Sequence, residues 1–111
     1  MKLEGLDLRL KSQVVDAAHS IPANIADGYC RRTINEYLQF LNVALGSAGE
    51  LMSRVIGLRQ PGLVGEGEFE EFDKKHFEVE NKLLALVKAL QAKRKEGTWV
   101  QEVHEPSEPL A

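Results

Sequence analysis

The chain has 111 residues, of which 43% are hydrophobic and 28% charged, with a formal net charge of -3. That length fits one domain, the composition is that of a soluble globular protein, and the acidic balance leaves only a local basic patch as a route to nucleic acid. A lone cysteine, Cys30, excludes an internal disulfide and fits a reducing, cytoplasmic setting.

The segment Met1-Lys2-Leu3-Glu4-Gly5 has no unbroken apolar run, so it is not a signal peptide. No window is apolar enough to predict a membrane span. The first helix is predicted from Leu3 or Leu6 to Asp27, on the apolar row Leu3, Leu6, Leu10, Val14, Ala17, Ile21 and Ile25. Gly28 reads as its C′ stop. At about 100° per residue, Gln13, Asp16, Ser20, Asn24, Asp27 and Arg31 fall in one polar stripe. Most of the remaining surface between Val14 and Ala26 is apolar, as in a helix with neighbours on several sides. Pro22 removes a backbone donor and crowds the Ala18 carbonyl. The apolar row stays in phase across it, which predicts a kinked helix with Ser20 or Asn24 satisfying the loose backbone group. The alternative is a break at His19 and a restart with Ser20 as N-cap.

Tyr29 to Arg32 form a short connection. Thr33-Ile34-Asn35-Glu36 is a capping box and opens the second helix. Its middle, Ala44-Leu45-Gly46-Ser47-Ala48-Gly49, contains two glycines, each costing up to about 1 kcal/mol in a helix interior. They predict that a neighbouring backbone approaches closely. Arg59-Gln60-Pro61-Gly62 ends the helix. A third helix is predicted over about Glu68 to Lys95, with Phe69, Phe72, His76, Val79, Leu83, Leu86 and Leu90 in heptad spacing. Phe77, Leu84 and Val87 widen that stripe. Glu68, Glu70, Glu71 and Asp73 near its start, and Lys93, Arg94 and Lys95 near its end, complement the helix dipole. Gly97 closes it. Residues 1–97 thus form the helical domain. Residues 98–111, with Pro106 and Pro109, are expected to be an irregular tail in which Trp99 and Val103 are available to dock on a partner.

Little in the chain points to a reaction. His19, His76 and His104 are scattered, and Cys30 has no CxxC partner, so no metal site is predicted. Glu70, Glu71, Glu78 and Glu80 lack the Glu-x-x-His pairs of a di-metal carboxylate bundle. Asp16, His19 and Ser20 do not share a helix face, as a catalytic triad requires. No catalytic residue, cofactor or small-molecule substrate is therefore expected. Arg31, Arg32, Arg54 and Arg59 are the candidate phosphate-contacting residues, with Tyr29 and Tyr37 available for stacking.

The run Ser20-Ile21-Pro22-Ala23-Asn24-Ile25-Ala26-Asp27-Gly28 resembles the bacterial four-helix-bundle proteins encoded in intervening sequences of 23S ribosomal RNA genes. The similarity continues through Glu36-Tyr37-Leu38-Gln39-Phe40-Leu41 and Ala44 to Leu51. It covers about residues 8 to 58 well, and the last helix by pattern only. Ser20, Ile21, Pro22, Asn24, Ile25, Asp27 and Gly28 match the family signature, with Asp27 where the family usually has Glu. Family members usually open with a further helix carrying a tryptophan, which has no counterpart before Leu8; either the member or this chain is shortened. The resemblance implies an all-α, antiparallel up-and-down bundle, three long helices in this chain, and a homo-oligomer, pentameric in the family. It implies no enzyme activity. Two functional expectations follow: a self-associating scaffold or interaction protein, or an RNA- or DNA-binding accessory protein that repeats a weak basic patch by oligomerising.

Overall fold

A computed structural model describes residues 6–97. They form three helices: α1 (Leu8–Tyr29), α2 (Ile34–Arg59) and α3 (Glu66–Glu96). The expected tail and the first five residues lie outside the described residues.

Each helix begins where a side chain can satisfy an orphan backbone donor. Asp7 Oδ1 accepts from Arg9 N at 2.7 Å, so α1 starts at Leu8, later than the apolar row alone predicts. Thr33 Oγ1 accepts from Glu36 N at 3.1 Å, as the capping box requires of its N-cap. α3 starts at Glu66, two residues before the predicted Glu68, because Glu68 Oε1 accepts from Gly65 N at 3.1 Å. Gly65 has no side chain to return the bond. Gly62 and Gly97 take left-handed φ values of 84° and 73° beyond the ends of α2 and α3. Those two helix ends are the predicted ones.

α1 passes through Pro22 without a break, which excludes a restart at Ser20. Asn24 Nδ2 donates to the Ser20 carbonyl at 2.7 Å. The side chain thus supports the backbone next to the proline, at Ser20 O and not at the Ala18 carbonyl that Pro22 deprives of its usual donor. Gly28 is not the stop it was read as. It lies inside α1, which ends at Tyr29, and it is buried.

α2 is the central helix. It packs along both α1 and α3, while α1 and α3 scarcely touch. The core is Val14, Ala17 and Ile21 from α1, Leu38, Leu41, Ala44, Ala48, Leu51, Val55 and Leu58 from α2, and Leu83, Val87 and Leu90 from α3. Leu41 and Val55 are fully enclosed. On α3, the heptad row faces this core, although Val79 keeps 42% of its surface exposed. Of the three residues expected to widen the stripe, Val87 is buried, whereas Phe77 is 65% and Leu84 45% exposed. No helix among the described residues is long and apolar enough to cross a membrane.

Gly46 and Gly49 also depart from expectation. Both are exposed, and a Cβ built on either would meet nothing within 4 Å. The close approach occurs at Gly28 instead, where a Cβ would stand 2.8 Å from Phe40 Cβ and 3.0 Å from Tyr37 Cδ1.

Candidate functional site

The signature segment splits between two roles. Ile21 and Gly28 are buried and Ile25 is partly buried against the core, so they hold α1 on its neighbours. Pro22 and Asp27 are exposed. Ser20 and Asn24 belong to a polar seam along the α1–α2 contact. Ser20 Oγ lies 2.8 Å from Ser47 Oγ, and Asn24 Nδ2 donates to Ser20 Oγ at 2.9 Å. The Ser20 hydroxyl hydrogen is thereby free to reach Ser47. That pairing matters because Ser47, at 9% exposure, is the one buried polar residue among those described.

Further along the seam, Arg54 Nη1 donates to Gln13 Oε1 and Nη2 to Glu50 Oε2, both at 3.2 Å. Arg54 Nε is buried without a partner. Gln13, Asp16, Ala17, Ser20, Glu50 and Arg54 line a surface hollow of about 300 Å³. Within it the Arg54 guanidinium pairs with the Glu50 carboxylate while Asp16 adds a second carboxylate, and no group of three or more potential metal ligands occurs among the described residues.

The four arginines singled out in the sequence do not meet. Arg31 and Arg32 occupy the α1–α2 connection, and the Arg31 guanidinium lies 4.6 Å from the centre of the Phe40 ring. Arg59 sits at the other end of α2, roughly 40 Å away at 1.5 Å per residue. It is held by both carboxylate oxygens of Glu66 at 2.9 and 3.0 Å, and it stacks on Phe69 at 4.3 Å. This bond raises the Arg59 pKa and holds the Glu66 carboxyl below its ordinary value. Sequence spacing missed Arg94. Its Nη1 donates to Asn35 Oδ1 at 2.8 Å, which places the basic end of α3 beside the Arg31–Arg32 connection. The two residues are 59 positions apart, so no local signal links them. Tyr29 and Tyr37 meet edge to face at 6.1 Å, so the aromatic pair considered for stacking is packed on itself. Burial, then the neighbouring Tyr29, raises the Tyr37 pKa.

A purely apolar groove lies between α1 and α3. Both flank α2, and between them runs a groove lined by Ile21, Leu51, Phe72, His76 and Val79, with Lys75 at its rim, of about 190 Å³. His76 anchors one wall: its Nε2 lies 2.7 Å from the Ala48 carbonyl oxygen. A carbonyl only accepts, so Nε2 carries the hydrogen in this bond. His76 is thus an interhelical tether.

These features define an all-α antiparallel bundle whose polar groups serve packing and whose apolar surface is incompletely covered. The chain belongs to the 23S rRNA-intervening sequence protein family, whose model matches residues 3–85. The match extends beyond the segment quoted from the sequence and takes in most of α3. Comparisons with curated proteins and with solved structures return no match.

Proposed function

We propose that this protein is a non-enzymatic, self-associating helical bundle that serves as a scaffold or interaction protein. The observation that carries this reading is the open groove between α1 and α3. Val79 and the partly buried Phe72 present carbon to solvent there, over a floor formed by the buried Ile21 and Leu51, and a further helix is the shape that covers such a groove. A second copy of the chain supplies it, and the family resemblance implies five copies. Light scattering of the pure protein tests the proposal: an oligomer is expected, with a lower mass for Val79→Asp. A well-folded monomer at micromolar concentration sinks it.

A second reading, an RNA- or DNA-binding accessory protein, is favoured by the Arg94–Asn35 bond. It gathers Arg31, Arg32 and Arg94 at one end of the bundle, where oligomerisation repeats them. Binding to a mixed RNA or duplex DNA across a salt series tests it. Affinity that rises as salt falls supports the reading, and no binding at low salt removes it.

A further inference from the structure

The groove has a counterpart on the other flank of α3. Residues two apart on a helix are turned about 200° from one another and lie about 3 Å apart along its axis. Four such steps run Asp73 to Lys75, Phe77 to Val79, Glu80 to Lys82 and Leu84 to Leu86. The second member of each lies on the groove flank. Val79 lines the groove and Lys75 stands at its rim, while Lys82 and Leu86 continue that flank two turns on. The first member lies on the outer flank, where Phe77 is 65% and Leu84 45% exposed. Each step thus leads from an acid on the outer flank to a base on the groove flank, or from one apolar residue to another.

We propose that the outer flank of α3 seats in the α1–α3 groove of a neighbouring copy, so that each copy lends the next the fourth helix of its bundle. The proposal rests on the self-association reading and names the helix that fills the groove. Copies rotated about one axis along the bundle hold their α3 helices parallel and at one height. Each outer-flank residue then stands within about 3 Å, along the axis, of the neighbour's residue two positions on. The four steps within one helix become four contacts between copies: Asp73 on Lys75, Phe77 on Val79, Glu80 on Lys82 and Leu84 on Leu86. Both charge pairs are attractive and both apolar pairs cover exposed carbon. Phe77 enters above the floor of Ile21 and Leu51. The two surfaces of this junction are different, so the contact is head-to-tail. An antiparallel neighbour would reverse the helix direction at every junction and close only on an even number. Parallel neighbours close on any number of copies, five included.

Sedimentation of complementary variants tests the junction. Phe77→Asp spoils the outer flank and leaves the groove, and Val79→Asp does the reverse. Each alone is expected to run as a monomer with unchanged helical circular dichroism. Their equimolar mixture is expected to run as a one-to-one dimer, because one junction survives and no ring can close. A charge exchange at exposed positions tests the register. Asp73→Lys and Lys75→Asp each weaken association about tenfold, and the double variant restores it. Residues two apart on one helix do not face each other, so that rescue acts between copies. Three results overturn the junction while self-association stands: undiminished assembly of Phe77→Asp, a mixture that stays monomeric, or no rescue in the double charge variant. A wild-type monomer overturns both.

Discussion

Gly28 of α1 and Phe40 of α2 approach so closely that a Cβ on residue 28 would lie 2.8 Å from Phe40 Cβ. The Cβ of Phe40 is fixed to its backbone and has no rotamer by which to withdraw. Gly28 is not at positive φ, so its backbone conformation is open to any residue. Only the contact requires glycine.

Gly28→Ala is therefore expected to destabilise the protein. Alanine gains up to about 1 kcal/mol in helix propensity. Forcing α1 from α2 costs about 1–3 kcal/mol. A net loss of about 1 kcal/mol is expected in urea unfolding. A gain would show that the helices separate at no cost.

Gly46→Ala and Gly49→Ala have the opposite sign. Neither site has a heavy atom within 4 Å of the added carbon, and both lie inside α2. Each variant should stabilise the folded chain by roughly 0.5–1 kcal/mol, read as a higher urea midpoint at constant m-value. Destabilisation of the oligomer alone would mean that a second copy packs on this face.

The Ser20–Ser47 pair should behave as a coupled unit. Ser20→Ala leaves the buried Ser47 hydroxyl without its partner and is expected to cost about 1–2 kcal/mol. Adding Ser47→Ala should recover part of that loss. A double-mutant cycle measures the coupling, and strictly additive costs would remove the seam from the stability account.

Tyr37 predicts an alkaline limit. Its folded pKa is raised above the ordinary value of 10.0, chiefly by burial. The unfolded phenol loses its proton first, so stability is intact below that value and falls as pH rises through the folded pKa. Tyr37→Phe should flatten this decline relative to wild type in unfolding curves measured on either side of the tyrosine range. Parallel declines in the two proteins would assign the loss to other groups.

Glycine shows how far the sequence could be read. The same residue type marks a helix end, a close contact or a cost in an exposed helix, and which applies depends on what lies opposite. Gly28 thus read as a stop and proved to be a contact. Gly46 and Gly49 read as contacts and proved to face solvent. Gly97 was legible because it follows Lys93, Arg94 and Lys95, the basic last turn of the predicted helix. Arg54 and Arg94 were legible as basic residues. Their partners Gln13 and Asn35 were not, being 41 and 59 positions away.

The amino-acid sequence by itself determined the three helices, the Thr33 cap and the family signature around Pro22. Those features rest on spacing of three and four residues and on hydrogen bonds that close within a turn. Tertiary structure alone decided that α2 is central, that α1 and α3 leave a groove between them, and that Phe77 and Leu84 stay uncovered. Periodicity shows that a helix has an apolar face, but the width of the neighbour opposite decides how much of that face is buried.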